Sequence, residues 1–253
     1  MIRFILVAAT VILFLILSIP VMVFLCLTGK EDRRRRDIQS LAAVQWIFRI
    51  LLKMAGVKIT VKGKENIPAD QAVLYVGNHR SYFDILVGYV TVPDPMGFVA
   101  KKEMEKIPLL STWMKLVNCL FLDRKNLKEG LKTILTGIDQ VKRGVSVWIF
   151  PEGTRNREEN PLDLLPFKEG SLKIAEKSGC PVVPVAISGT AEVFERQFPR
   201  IRSSQVTIEF GSPFYTKELE PEFRKFPGAY VENQIKTMLE AELKSQGKLT
   251  DRA

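Results

Sequence analysis

The chain begins with a long run of apolar residues. From Phe4 to Leu27 no side chain is charged over 24 residues. As a helix with a rise of about 1.5 Å per residue, this run would be roughly 36 Å long, against a bilayer core of about 30 Å. Pro20 predicts a kink or a break within it. A cleavable signal peptide is the competing interpretation, but the run is too long and lacks a small-x-small cleavage site at its end. We therefore predict a retained membrane anchor.

A cationic cluster follows the apolar run. Lys30 and the four consecutive arginines 33–36 are separated only by Glu31 and Asp32. Lysine and arginine beside a membrane helix mark its cytoplasmic end, and each one near anionic lipid contributes about 1 kcal/mol. The pattern predicts that the rest of the chain lies on the cytoplasmic side of a cell membrane.

A second helical pattern covers Ser40–Ala55. Its apolar positions recur at helical spacing, whereas Gln45, Arg49 and Lys53 fall four residues apart and form one narrow polar stripe. Such a helix suits a membrane interface, and the alternative is a helix packed on the core of the next domain. Residues 1–55 are thus predicted to form a membrane anchor. The pattern leaves open whether the first segment spans the bilayer or forms a re-entrant hairpin with this helix.

From residue 56 onwards, short β-rich runs alternate with helical ones, so we predict one domain over residues 56–253. Several β-rich runs are continuously apolar, as in strands buried on both faces. Helical spacing covers Leu127–Lys142, Gly170–Lys177 and the amphipathic Tyr230–Lys244. This alternation predicts an α/β fold with a mixed, largely parallel sheet flanked by helices. The predicted strands are Val57–Val61, Ala72–Val76, Gly97–Ala100, Leu120–Asp123, Val145–Phe150, Val182–Ile187 and Val206–Phe210.

Composition and charge narrow the chemistry. The 253 residues include 37 Lys+Arg and 28 Asp+Glu, and the net charge of +9 favours contact with an anionic membrane, a phosphorylated substrate or nucleic acid. Three scattered cysteines indicate neither a disulfide framework nor a zinc cluster, and a single histidine excludes a multi-histidine metal site. We expect no metal. We also expect no nucleic acid, because the cations cluster beside the membrane segment and at strand ends rather than along one exposed helix.

The single histidine follows the second predicted strand, at the edge of the sheet where α/β proteins bind ligands. Asp84 lies five residues after His79. On one helix that spacing would separate them by about 140°. They can meet only if His79 lies in the turn and Asp84 in the first helical turn, with Asn78 or Ser81 as its cap. Asp84 would then fix the imidazole tautomer, and the other ring nitrogen would be free to accept a proton from a hydroxyl. The alternative is a structural or surface histidine.

Cations and a tight turn follow the other strands. The motif Phe-Pro-Glu-Gly-Thr-Arg at residues 150–155 contains a glycine that permits close approach of the backbone and an arginine that can bind phosphate with two hydrogen bonds. Its acidic residue, Glu152, is expected either to hold a substrate hydroxyl or to brace the loop. Lys101 and Arg124, at the ends of two further strands, are candidates for the same pocket. Each cation alone can be a solvated surface residue, but together they favour an anion site.

These residues resemble four sequence blocks of the glycerolipid acyltransferase family, in the order found in its bacterial 1-acylglycerol-3-phosphate acyltransferases. Lys101 also falls where that family has a phosphate-binding lysine. The resemblance covers about Val57 to Phe214. The residues that carry it are Asn78-His79 with Asp84 in the first block, Asn118–Arg124 in the second, residues 150–155 in the third and Val183–Ile187 in the fourth.

The resemblance implies direct transfer of an acyl group from a thioester to the sn-2 hydroxyl of lysophosphatidic acid, giving phosphatidic acid for phospholipid biosynthesis. His79 would remove the hydroxyl proton and Asp84 would stabilise the imidazolium. Acyl-CoA or acyl carrier protein would be the co-substrate, with no further cofactor. The absence of a G-x-S-x-G motif agrees with attack that needs no acyl-enzyme. The substrate-binding residues implied are Lys101, Arg124, Glu152, Gly153, Thr154 and Arg155.

Three other functions stay open on the sequence. The same chemistry can act on glycerol-3-phosphate or a lyso-aminolipid, water can replace the acceptor in a hydrolase, or the protein can bind anionic lipid without catalysis. Neither the donor type nor the acyl chain length follows from the sequence.

Overall fold

The computed structural model describes residues 1–29 and 31–247, so Lys30 of the cationic cluster and residues 248–253 of the predicted domain lie outside the described part. The seven described strands are β1 Val57–Lys62, β2 Leu74–Gly77, β3 Met96–Lys101, β4 Leu120–Leu122, β5 Ser146–Ile149, β6 Val182–Ser188 and β7 Ser204–Phe210. They form one sheet in the order β1-β7-β6-β2-β5-β3-β4. All neighbours are parallel except the antiparallel pair β6 and β7.

The sheet confirms the predicted fold class, a mixed and largely parallel sheet flanked by helices. All seven predicted strands are present, and each end lies within two residues of its predicted position. The continuously apolar strands are buried on both faces, because helices cover both sides. On β2, Leu74 and Val76 pack into one core, whereas Tyr75 packs into the other.

Nine α-helices surround the sheet within the described residues. The predicted helix Leu127–Lys142 is present with those ends, and Asn126 caps it by accepting hydrogen bonds from the amides of Lys128 and Glu129. The helices are α1 Ile2–Leu17, α2 Ile19–Thr28, α3 Arg33–Ala55, α4 Phe83–Thr91, α5 Leu110–Leu116, α6 Leu127–Lys142, α7 Lys173–Ser178, α8 Pro221–Lys225 and α9 Pro227–Ser245.

The helices divide between the two faces of the sheet. On one face α2, α3, α4 and α5 pack into a core with Tyr75 and Trp148, and α1 adds partly buried side chains to it. On the other face α6, α7 and α9 pack against Leu74, Val76 and Val147. The amino-terminal helices therefore lie on a different layer from α6, α7 and α9.

The apolar amino-terminal run forms two helices that meet at a bend of 48°. Pro20 stands in the first turn of α2, where its missing N–H costs no hydrogen bond. Ser18, the buried residue at the bend, accepts a hydrogen bond of 2.8 Å from the Trp113 indole nitrogen. The kink predicted from the proline is thus present, and a side chain of α5 holds it.

The second predicted membrane helix, α3, begins at Arg33, seven residues before the predicted start. One side packs on the domain, and Gln45 donates hydrogen bonds to the carbonyl oxygens of Tyr89 and Val92 at the end of α4. Trp46 on another side is 59% exposed. Packing against the domain, the alternative left open by the sequence, therefore applies to one side of α3, and the division of the chain at residue 55 stays a prediction.

Among the described residues, α3 alone is long and apolar enough to cross a membrane as a single helix, and α1 with α2 meets the same criterion if the bent pair is one span.

Candidate active site

The side chains of His79 and Asp84 are in contact, in the turn-and-helix arrangement that their spacing requires. His79 lies in the turn between β2 and α4, Asp84 lies in the first turn of α4, and the distance from His79 Nδ1 to Asp84 Oδ2 is 2.8 Å. No described residue forms a hydrogen bond with the opposite ring nitrogen, Nε2. The imidazole is thus held from one side, and Nε2 is left for a ligand.

Asp84 is itself fixed by three further hydrogen bonds. Its Oδ2 also accepts from the amides of Arg80 at 2.7 Å and Ser81 at 2.8 Å, and its Oδ1 accepts from the Thr190 hydroxyl at 2.6 Å. The carboxylate is only 1% exposed. Because Asp84 accepts in each of these hydrogen bonds, it is arranged to act as an acceptor from the His79 ring as well.

The helix cap differs in part from the expectation. Tyr82 occupies the N-cap position of α4, and Ser81, one residue earlier, accepts a hydrogen bond of 3.0 Å at Oγ from the amide of Phe83. Asn78 instead bonds to β6: it donates to the carbonyl oxygen of Ile187 and accepts from the amide of the same residue. Asn78 therefore joins the end of β2 to β6 rather than capping α4.

The backbone of His79 is clamped by the loop at 150–156. Its amide donates to Glu152 Oε1 at 2.7 Å, and its carbonyl oxygen accepts from the amide of Asn156 at 2.7 Å. The imidazole stacks on Phe150, with ring centroids 4.1 Å apart and planes 9° apart. The loop at 150–156 and Asp84 of α4 thus both fix the position of the base.

Glu152 lies behind the histidine. Its second oxygen accepts from the amide of Leu165 at 3.1 Å, and the side chain is buried outside the walls of the cavity that His79 lines. Burial raises the pKa of this carboxyl above its ordinary value of 4.5. These contacts favour the bracing alternative for Glu152, and its contact with substrate stays a prediction.

Lys101, Arg124, Gly153, Thr154 and Arg155 all line the cavity that His79 faces. The guanidinium of Arg124 donates to the carbonyl oxygen of Gly153, whose φ of 74° suits the residue without a side chain. Lys101 forms no ion pair with any residue that the structure describes. The structure therefore brings the three predicted cations together at one cavity.

Arg155 is tied to two residues that sequence reasoning missed. Its guanidinium carbon lies 3.7 Å from the ring centroid of Tyr82, and its Nη1 lies 3.0 Å from Glu195 Oε1. The same Glu195 oxygen accepts from the amide of Tyr82 at 2.9 Å. Stacking and an ion pair thus hold the guanidinium at the wall of the cavity.

The cavity has a volume of about 440 Å³, within the usual range of ligand pockets. Its polar residues lie at the His79 end, and the rest of its wall is largely apolar. Most of the apolar residues come from β3, which contributes Phe98, and from four helices; examples are Phe14 of α1, Phe48 of α3, Ile85 of α4 and Trp113 of α5. A ligand with a charged head and a long apolar chain fits this distribution.

Thr190 and Asn156 were also missed, although each had a signal. Thr190 follows β6, just as His79 follows β2, and the rule that ligands lie beyond strand ends applies to both. Asn156 directly follows the motif at 150–155. Glu195 and Tyr82 carried no comparable signal, because their contacts with Arg155 depend on tertiary packing.

Within residues 1–29 and 31–247 no group of three or more His, Cys, Asp or Glu side chains is placed to hold a metal ion. The three cysteines are free.

Comparisons with known proteins agree with this geometry. The sequence model described as Acyltransferase matches residues 58–188, a range that contains His79, Asp84 and all six predicted binding residues. A 1-acyl-sn-glycerol-3-phosphate acyltransferase of Saccharomyces cerevisiae is 30% identical over 181 residues, which are 69% of this chain and 59% of the relative. One from Borreliella burgdorferi is 35% identical over 147 residues, 58% of each protein.

The chain thus spans less than two thirds of the length of these curated relatives. A solved structure shares the fold over almost its full length: the 1-acyl-sn-glycerophosphate (LPA) acyltransferase of Thermotoga maritima has a TM-score of 0.75 and 29% identity, covering 96% of this chain and 97% of that chain. By its sequence match over residues 58–188 and by its sheet, the chain belongs to the acyltransferase family.

Proposed function

We propose that the protein is a 1-acyl-sn-glycerol-3-phosphate O-acyltransferase, which esterifies lysophosphatidic acid to phosphatidic acid. One observation carries the proposal: the His79–Asp84 pair faces a cavity that is cationic at the His79 end and apolar beyond it. A phosphate-bearing lysolipid and an acyl thioester have the matching head and chains. The names of the relatives support this choice of acceptor.

In the proposed reaction His79 acts as a general base. Nε2 accepts the proton of the sn-2 hydroxyl as the oxygen attacks the thioester carbonyl carbon, and Asp84 stabilises the imidazolium through Nδ1–H. The tetrahedral intermediate then expels the thiolate, which takes the proton back from Nε2. The products are the ester and a free thiol, and because the acceptor hydroxyl attacks the thioester directly, no acyl-enzyme forms.

The cations would hold the phosphate. Arg155 is held in place by Tyr82 and Glu195, and Lys101 and Arg124 line the same cavity. The apolar wall would take an acyl chain, and each methylene buried there contributes about 0.8 kcal/mol. The donor is a thioester of coenzyme A or of acyl carrier protein, and no further cofactor is proposed.

We also infer that the protein acts at a cell membrane, with its domain on the cytoplasmic side. The outward side chains of α1 and α2 are apolar, the proposed acceptor is a lipid, and residues 33–36 are all arginine. Its partners would thus be membrane lipids, the acyl donor and lysophosphatidic acid, with no nucleic acid.

The test is product analysis with defined acceptors and both donor types. Lysophosphatidic acid plus donor should give phosphatidic acid, and the same lysolipid without its phosphate should react much more slowly. Ester formation equally on glycerol-3-phosphate or a lyso-aminolipid would reassign the acceptor. Free fatty acid in the presence of acceptor would show a hydrolase instead.

His79→Ala separates an enzyme from a lipid-binding protein. Loss of the general base should lower the rate at least about 10²-fold. A fully active His79→Ala protein would contradict the proposed mechanism.

A further inference from the structure

Helix α6 presents a stripe of exposed leucines. Leu127, Leu131 and Leu135 recur every four residues and are 91%, 55% and 53% exposed. The adjacent side of the helix, which contains Ile138 and Val141, is buried, so the leucines lie along the edge of the buried side. Single exposed leucines are common on protein surfaces. Three aligned along roughly 12 Å of one helix form a patch typical of a binding surface.

The stripe does not belong to the face of the molecule proposed to meet the membrane. Helices α1 and α2 pack on one side of the sheet, and α6 packs on the other, together with α7 and α9. An apolar surface on that layer favours a soluble partner over lipid.

The stripe begins close to the cavity that His79 lines. Arg124, which lines the cavity, lies three residues before Leu127. The turn between them is fixed, because Asp123 Oδ1 accepts from the amides of Lys125 and Asn126, and Asn126 caps α6. A partner on this side of α6 therefore reaches the catalytic cavity at its first turn.

The charge around the stripe is positive. Lys128 and Lys132 lie on the side of the stripe away from the buried surface, and Lys125 precedes the helix. Lys132 pairs with Glu129 at 2.7 Å, whereas Lys125 and Lys128 form no ion pair with a described residue. A partner complementary to this surface is acidic and carries an apolar patch.

We infer that the exposed side of α6 is the docking surface for an acidic carrier protein that delivers the acyl group as a thioester. The inference rests on the proposed function and specifies its donor. A coenzyme A thioester can use the cations that line the cavity, but its small polar head does not need a leucine stripe outside it. A folded carrier protein has a surface large enough to cover the stripe and the lysines beside it.

The experiment compares two donors with the same acyl chain, one on purified acyl carrier protein and one on coenzyme A. The double variant Leu127→Ser/Leu131→Ser should lower kcat/KM with the carrier-protein donor at least about 10-fold, as expected at the centre of an interface. With the coenzyme A donor it should stay within about twofold, which also shows that the variant is folded.

Charge reversal provides a matched control. Lys128→Glu should weaken use of the carrier-protein donor, and Lys177→Glu, an exposed lysine of α7 on the same layer, should not. Equal losses with both donors, or no loss with either, would overturn the inference. A wild-type dimer that the leucine variant dissociates would also overturn it, because the stripe would then bind a second copy.

The wild-type protein separates the two proposals. If it acylates lysophosphatidic acid from coenzyme A but not from carrier protein, the docking inference alone fails. If it acylates lysophosphatidic acid from neither donor, the proposed function fails.

Discussion

At the scale of single residues, the position of His79 depends on hydrogen bonds made by its neighbours. Asp84 Oδ2 accepts from the imidazole and from two amides of the turn, so the same oxygen orients the ring and shapes the backbone that carries it. Thr190 holds the other oxygen from the end of β6. Three segments of the chain thus meet at one carboxylate.

Asp84→Asn places an amide group among these donors and disturbs the tautomer of His79. We expect kcat to fall by at least about 10²-fold with little change in KM, because the interaction is needed as the imidazolium forms. Thr190→Val removes one hydrogen bond and should lower kcat by a smaller factor. Steady-state kinetics of both variants are the measurement, and an Asp84→Asn enzyme with normal kcat would contradict the assigned role.

Arg155→Ala should mainly raise KM for the phosphorylated acceptor, because the charged contact is made in the ground state and the transition state alike. Glu195→Gln keeps the guanidinium over Tyr82 but removes its ion pair, so a smaller rise in the same KM is expected. Steady-state kinetics with varied acceptor and then varied donor measure this. A rise in the donor KM alone would show that Arg155 binds the donor instead.

At the scale of elements, the loop at 150–156 follows β5 but holds the turn between β2 and α4. Glu152 joins the amides of His79 and Leu165, and Asn156 holds the carbonyl oxygen of His79. The order of strands explains this, since β2 and β5 are parallel neighbours and their carboxyl ends lie side by side.

Glu152→Gln separates the two roles considered for this residue. If Glu152 braces the loop, one amide loses its acceptor, stability falls by about 1–3 kcal/mol, and kcat falls while KM stays near the wild-type value. If it holds a substrate hydroxyl, KM should rise with little loss of stability. Denaturant unfolding and kinetics decide, with Glu158→Gln as the matched control, because it makes the same charge change on an exposed side chain of the next loop.

Patterns along the chain predicted these elements well and their packing poorly. The strand positions, the kink at Pro20 and the helix Leu127–Lys142 follow from local spacing. By contrast, the helical spacing in α3 favoured an interfacial helix but left a core helix as the alternative, because both need one apolar side. Only the tertiary structure shows which side of α3 packs on the domain and which side is exposed.

At the scale of the molecule, the sheet separates two surfaces. Helices α1 and α2 expose apolar side chains such as Ile12, Leu17 and Phe24 on one layer, and the leucine stripe of α6 lies on the other. The cavity with His79 lies beneath the amino-terminal helices, because α1 and α3 form part of its wall. Under the proposed function, a lipid acceptor would enter from the membrane side and a soluble donor would approach from the other.

This arrangement predicts that α1 carries the membrane contact. Ile12→Lys/Leu13→Lys should weaken co-sedimentation with anionic phospholipid vesicles, because charged side chains replace apolar ones at the lipid surface. Leu131→Ser, on the opposite layer, is the control and should leave vesicle binding unchanged. Equal loss for both variants, or none for the α1 variant, would show that the membrane contacts another surface.

The sequence by itself determined the fold class, the seven strands, the single candidate base and the cations around it. These features depend on local periodicity and on the rule that ligands lie beyond strand ends, and both can be read along the chain. Tertiary structure decided that Glu152 lies behind His79, that Thr190 holds Asp84 and that Glu195 with Tyr82 positions Arg155. Each of those contacts joins residues far apart in the sequence: Glu152 is 73 positions from His79, and Thr190 is 106 from Asp84. Arg155 is 40 positions from Glu195 and 73 from Tyr82. Their partners depend on which strands become neighbours, and no local pattern specifies that.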